Sequence, residues 1–385
     1  MISYKKSGLA PNETKGEQKI MNVETLIYAY LAICVSMILF NCACIFVAKR
    51  RDKALQRHSF GLKVQVLRQF ERMEQGLEVD ERHKEFLLCK LKKIGNLLAF
   101  DEALSKLMEQ EPKNLQKYLG AIHSVFIFLT IEYRRKEKMQ IAYFAYIIGK
   151  YKIVRGMPFD LIMNTMMLLL HEPSLYCREN ALQAIYSSGD CECVVNALAI
   201  IDQGSSFHHA KLLTDGLLSF AGDHKQLADA LWTAFDCFSI ANKVAILDYL
   251  RFSTNERCEE MLALLSDENQ NDEIRFACIR YLGKYHYDPA YPILLQFAEN
   301  PGHQRWEYAA ITATALAQYQ SEHTIDVLKS NLYHSNWYIR YNAAQSLESF
   351  QLTYTDLIDV FDSNDRYARE ILQYQMDRQN VKRNQ

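Results

Sequence analysis

A short motif returns about every 32 residues through the C-terminal half of the chain, and this repetition restricts the possible folds more than any other feature. Its best copies pair an apolar residue with arginine, followed by a small residue three positions later and an aliphatic residue seven positions later; two of the three also have a small residue at position six. They begin at Cys177, Ile274 and Ile339. With the weaker copies, the arginine position falls at residues 178, 210, 243, 275, 307 and 340, although the copies at 210, 243 and 307 lack the arginine. Such a period is typical of stacked helix pairs.

The motif resembles the second helix of a HEAT repeat. The positions three and six or seven residues after the arginine share one helix face, and the small residues on that face let the paired first helix approach closely. Segments 288–298 and 324–332 fit the first helices, and the resemblance covers about residues 160–375. It implies an all-α fold, a right-handed α-α superhelix (solenoid). A generic helical bundle is the competing interpretation.

A second constraint lies near the N-terminus, where residues 25–48 contain no charged side chain. As a helix this run would be about 36 Å long, which is enough to cross the hydrocarbon core of a bilayer. The 20 residues after it contain seven Lys and Arg, against four in the 20 before it. The sequence therefore predicts a single-pass protein of the cell membrane with its N-terminus outside and its solenoid in the cytoplasm.

These features divide the chain into five parts. They are a short tail (1–24), a transmembrane helix (25–48), a basic juxtamembrane helical region (49–156), the HEAT-like repeats (157–375) and a polar C-terminal tail (376–385). Apolar residues at 55, 62, 66, 70, 73 and 77 form one helical stripe. We expect this stripe to pack on the body rather than to self-associate or lie on lipid.

The first tail contains Lys-Gly-Glu-Gln-Lys-Ile before Met21. Translation of a bacterial ribosome-binding site just upstream of a start codon gives residues of this kind. We therefore expect Met21 to be the true initiator, with a short disordered tail as the alternative.

Charge is distributed unevenly. Residues 54–169 carry 19 Lys and Arg against 13 Asp and Glu, whereas residues 170–385 carry 17 against 29. An acidic solenoid repels nucleic acid, so we expect no nucleic-acid binding, and a DNA glycosylase of HEAT-like fold is disfavoured. The same charge favours a membrane-associated protein partner with a basic segment.

The sequence contains few motifs that are typical of enzymes. Phosphate-binding loops, nucleophile elbows and zinc-protease motifs are missing. Cys191 and Cys193, with His208, His209 and His224, are poorly spaced for a structural zinc site. We therefore expect no enzymatic activity, no cofactor and no metal.

The second helices of such repeats line a concave face. The position five residues after the arginine position is polar in every copy, so we assign it to solvent; the position one residue after it is its helical neighbour. In the last three copies these positions predict a partner-binding groove formed by Phe276, Arg280, Tyr308, Thr312, Tyr341 and Gln345. The alternative is that the aromatic rings only fill space between repeats.

Together these features predict a membrane-anchored HEAT-repeat scaffold or adaptor that binds a protein partner at the cytoplasmic membrane face. The HEAT-like fold also occurs in lyases and isomerases that act on bilins, so such an enzyme or a chromophore chaperone is the alternative.

Overall fold

The computed structural model describes residues 23–158, 160–204, 206–299 and 305–383. These residues form twenty α-helices and four short 3-10 helices and contain no β-strand. The predicted all-α class is therefore confirmed for this part of the chain. The α-helices are α1 (Val23–Glu74), α2 (Glu81–Leu91), α3 (Ile94–Gln110), α4 (Pro112–Ala121), α5 (His123–Tyr133), α6 (Lys138–Lys150), α7 (Leu161–Leu169), α8 (Leu175–Ser188), α9 (Cys191–Gln203), α10 (Ala210–Leu218), α11 (His224–Thr233), α12 (Ile240–Ser253), α13 (Cys258–Ser266), α14 (Asp272–Leu282), α15 (Tyr291–Glu299), α16 (Trp306–Ala315), α17 (Glu322–Asn331), α18 (Trp337–Ser349), α19 (Ile358–Phe361) and α20 (Arg366–Arg383). The 3-10 helices are Phe235–Cys237, Asp288–Ala290, Leu316–Gln318 and Thr355–Leu357.

Side-chain caps set the start of many of these helices. Asp190 accepts a hydrogen bond from the backbone N–H of Cys193 at 2.7 Å, and Asp223 accepts from two N–H groups at the start of α11. Ser, Asp and Asn at this position satisfy backbone donors that have no partner within the helix. Some of the acidic residues of the distal half therefore serve as N-caps of helices.

The first helix, α1, has 52 residues and contains the whole uncharged run 25–48. From residue 28 to residue 48 its side chains are exposed apart from Cys34, including large rings such as Phe40. Among the described residues it is the one helix long and apolar enough to cross a membrane; a signal sequence near the N-terminus would meet the same criterion of length and composition. Met21 lies outside the described residues.

The C-terminal half of α1 packs on the rest of the protein. Leu62, Val66 and Phe70 are buried against α3 and α4. The predicted packing of this amphipathic stripe is confirmed, although Leu77 beyond the helix end is half exposed. Because α1 is continuous, the apolar run and the body are joined by a rigid helical segment.

Helices α6 to α20 follow a regular order of contacts. Each even-numbered helix packs on the next even-numbered helix, from α6 and α8 through to α18 and α20. Consecutive pairs such as α13 with α14, α15 with α16 and α17 with α18 also pack together. One continuous apolar core runs through these layers.

The arginine of the motif has a specific structural role. Arg178 is buried and donates to the backbone carbonyls of Glu172, Pro173 and Phe207, each at 2.9 Å. Arg275 and Arg340 likewise donate to carbonyls in the segment that precedes their own helix. The arginine therefore satisfies acceptors that would otherwise be left unpaired beside the core.

The predicted polar C-terminal tail (376–385) is helical as far as residue 383. Helix α20 continues to Arg383, and Met376 packs against the core. The segment 376–383 contains Met, Gln, Lys and two Arg, which are good helix formers, so its polarity does not prevent it from forming a helix.

Candidate functional site

Three of the six predicted groove residues are not on the surface. Phe276 is 2% exposed, Tyr308 is 3% exposed and Thr312 is fully buried. The two rings meet edge to face with their centroids 4.7 Å apart, and the Tyr308 hydroxyl donates to Asp272 at 2.6 Å. Burial and this hydrogen bond raise the pKa of Tyr308 to about 12. The expectation that these residues face solvent is therefore wrong, and they pack between helices, as the alternative interpretation held.

For Thr312 the error is one of register. On the exposed face of the second helices, Arg280, Ile311 and Asn342 line the same cavity and are 31 residues apart. The prediction used Arg280, Thr312 and Gln345, spacings of 32 and 33. Each residue turns a helix by roughly 100°, so a shift of one position moves a side chain from the surface into the core.

The other three predicted residues remain accessible. Arg280 and Tyr341 are partly exposed and Gln345 is exposed. Arg280 and Tyr341 line two different cavities, which share helix α18 as a wall. Their partner-binding role stays a prediction.

The first cavity, here called the aromatic cleft, lies between α18 and α20 and has a volume of about 540 Å³. It is lined by Trp337, Arg340, Tyr341, Tyr367, Glu370, Ile371 and Tyr374. Large rings dominate this lining, and several are open to solvent: Trp337 is 50% exposed and Tyr367 is 66% exposed. Exposed aromatic side chains around a concavity are the composition of protein-binding hot spots.

Local structure holds the α18 wall of the cleft in place. Asn336 caps α18 by accepting from the N–H of Tyr338 at 2.8 Å. Asn342 and Ser346 each donate to a backbone carbonyl of α16, both at 2.7 Å. The ring of Trp337 stacks on Tyr341 with a centroid separation of 4.8 Å.

The opposite wall is a face of α20. Tyr367 and Tyr374 lie seven residues apart and therefore on one side of this helix. The guanidinium of Arg340 on α18 lies 5.3 Å from the centroid of the Tyr367 ring on α20, so this contact crosses the cleft. Glu370, on the same wall, pairs with Arg366 at 2.6 Å. The ring faces of the cleft therefore already accept one guanidinium.

The second cavity, here called the cationic cavity, is also about 540 Å³ and lies across α12, α14, α16 and α18. Its lining contains Arg251, Arg280 and Lys284 and no carboxylate. Arg251 is 3.4 Å from Asp248, and Lys284 donates to the Arg251 carbonyl at 2.8 Å. Within the described residues Arg280 is in no ion pair, so its charge is available to a ligand.

Sequence reasoning missed Trp337, Tyr367 and Tyr374. The first lies three residues before the arginine position of its repeat, and the other two lie on α20, beyond the last copy of the motif. One signal was present, since positions 367, 371 and 374 place large side chains on one face of α20, beside the buried face that contains Leu372. Such a stripe on a terminal helix indicates either core packing or a binding surface.

Metal chemistry has no support in the described residues, where no group of three metal-ligating side chains converges. Cys193 is buried, and burial raises the pKa of its thiol to about 12. His224 is instead hydrogen bonded to the Tyr249 hydroxyl at 3.0 Å.

Comparison of the chain with protein-family models finds no match, and comparison with curated protein sequences finds none either.

Proposed function

We propose that this protein is a membrane-anchored scaffold whose HEAT-like helical repeats bind a protein partner at the cytoplasmic face of the membrane. The observation that carries the proposal is the aromatic cleft, an open and ring-lined concavity on a rigid two-helix wall. The regular packing of α6 to α20 and the shared role of Arg178, Arg275 and Arg340 support the solenoid arrangement.

The anchor in this proposal is the first part of α1. Residues 25–48 are uncharged, and the Lys and Arg that follow them outnumber those that precede them. Positive residues are retained on the cytoplasmic side, so the body would lie in the cytoplasm and the N-terminus outside. Confinement to the membrane plane raises the effective concentration of the body for other membrane-associated proteins.

The partner we propose presents a basic segment to the aromatic cleft. The stacking of Arg340 on Tyr367 is an internal example of the contact that a partner's Arg or Lys would make with Trp337 or Tyr374. The surrounding half of the chain has 29 acidic against 17 basic residues, which attracts such a segment over a distance of about a Debye length.

The cationic cavity adds a second requirement on the partner. It shares α18 with the aromatic cleft through Asn342, and we infer that a segment bound in the cleft continues past this helix toward Arg280. A carboxylate there would gain a charge-assisted hydrogen bond. We therefore infer a partner segment that is basic at the cleft and carries an acidic residue beyond it.

Affinity purification of the full chain from detergent-solubilised membranes tests the proposal. The wild type should recover a specific protein. Trp337→Ala with Tyr367→Ala should weaken the affinity for it by about thirtyfold or more, since the loss of even one hot-spot ring costs about 2 kcal/mol or more. Tyr354→Ala is the matched control, because this ring is 56% exposed but stacks on Phe361, outside the cleft.

The partner's basic segment, made as a peptide, should then bind the wild type and not the cleft variant. Equal recovery of the partner by the wild type and the cleft variant, with unchanged helicity, would contradict a role for the cleft.

A further inference from the structure

Two cationic segments that are distant in sequence lie close together near the part of α1 that follows the apolar run. One contains Lys90, Lys92 and Lys93 at the junction of α2 and α3; the other contains Arg134, Arg135 and Lys136 between α5 and α6. The Tyr133 hydroxyl donates to the Leu91 carbonyl at 2.8 Å, and Lys92 is 3.4 Å from Glu132. We call these six cations the cationic platform.

The platform lies beside the segment of α1 that follows the apolar run. Lys90 lines a cavity of about 250 Å³ together with Arg57 and His58 of α1. Arg57 is nine residues beyond Ala48, which places it about 14 Å further along the helix axis. Because Leu62 and Val66 are buried against the body, their packing fixes the distance between the body and the apolar run of α1.

The charges of the platform are largely free. Lys93, Arg134, Arg135 and Lys136 are exposed, and within the described residues Lys92 is the one platform cation in an ion pair. The α1 residues Lys49, Arg50, Arg51 and Lys53 extend the positive surface toward the apolar run. Two segments that are far apart in sequence therefore form one basic surface on the body.

We propose that the cationic platform rests on the headgroups of the bilayer that α1 crosses and selects anionic phospholipids there. The inference relies on the anchor of the proposed function and is independent of the aromatic cleft. Lysine and arginine held within a Debye length of an anionic leaflet are attracted to it. The chain as a whole has a net charge of −2, which disfavours a free polyanion such as RNA as the ligand.

The test uses the full chain in lipid nanodiscs of phosphatidylcholine alone and in nanodiscs that also contain phosphatidylglycerol. Hydrogen–deuterium exchange is followed in segments 90–96 and 131–138. Exchange in both segments should be several-fold slower in the anionic discs. The double variant Arg134→Glu with Arg135→Glu should abolish this difference.

The matched control is Lys113→Glu with Lys117→Glu. These exposed lysines lie on α4, next to the distal end of α1, where Asn114 donates to Glu74 at 3.0 Å. Glu74 is 26 residues beyond Ala48, or about 39 Å along the helix. This control should keep the full lipid-dependent protection.

Equal exchange in the two kinds of disc would overturn the proposal, and so would an equal loss of protection in the control variant. Protection in neutral discs by inorganic phosphate or by a single-stranded oligonucleotide would also overturn it, since the ligand would then be a soluble anion. Absence of the chain from the disc fraction would instead refute the anchor. This result can be distinguished from failure of the cationic platform, in which the chain is in the discs but its exchange does not depend on the lipid.

Discussion

Gly283 offers a sharp test of how closely the second helices pack. It follows the last residue of α14, and a β-carbon at this position would lie 2.6 Å from the Ala315 side chain and 2.7 Å from its Cα. Contacts this short with a backbone atom cannot be relieved by a rotamer change. Replacement of Gly283 by Ala should therefore push α14 and α16 apart.

The expected loss of stability follows from two opposed terms. Overpacking of a well-filled interior costs about 1–3 kcal/mol. The higher helix propensity of Ala returns at most about 1 kcal/mol, and less than that at a helix end. Gly283 has φ −77°, so Ala adopts this backbone conformation without strain. We expect Gly283→Ala to lower the free energy of unfolding by about 1–2 kcal/mol.

The assay is urea denaturation of the full chain in detergent, followed by far-UV circular dichroism. Gly120→Ala is the matched control, because Gly120 also lies near a helix C-terminus and no other side chain or distant backbone atom is within 4 Å of its β-carbon position. This variant should be unchanged or slightly stabilised. If Gly283→Ala is as stable as the wild type, the close crossing of α14 and α16 described here is wrong.

Three further predictions concern buried polar groups. Arg178→Met should lower the free energy of unfolding by about 3 kcal/mol, measured by urea denaturation, because three backbone carbonyls lose a charged donor. Stability should decrease as the pH falls from about 6.5 to about 4, because burial lowers the pKa of His83 to about 4 and the unfolded state binds the proton first. His83→Gln should flatten this part of the pH profile; an unaltered profile would exclude His83 as its cause. Alkylation followed by mass spectrometry should find the exposed Cys237 modified well before Cys278, whose pKa is raised by burial to about 12; equal rates would contradict the burial of Cys278.

Local sequence signals were enough for much of the fold. The apolar stripe that includes Val66 and Phe70 shows which face of α1 is buried, and Asp190 and Asp223 mark helix starts. These features depend on periodicity and on contacts only a few residues apart in sequence. They can therefore be recognised before any tertiary arrangement is known.

The candidate site depended on information of another kind. Thr312 was assigned to the surface because the position five residues after the arginine position is polar in every copy, yet the residue that lines the cavity with Arg280 is Ile311, one position earlier. The phase between two packed helices is set by their contact and not by either sequence alone. The meeting of Lys92 with Glu132 is equally non-local, since it requires α2 and α5 to pack together. Such relations appear only when the helices are assembled.

The central claim is that an uncleaved α1 holds the helical body at the membrane. Alkaline carbonate extraction of membranes from cells expressing the chain with a C-terminal tag tests it most directly. The account predicts that the tagged protein stays in the membrane pellet and still contains residues 25–48, as shown by mass spectrometry of the recovered chain. Release into the supernatant, or recovery of a chain from which residues 25–48 have been removed, would contradict it.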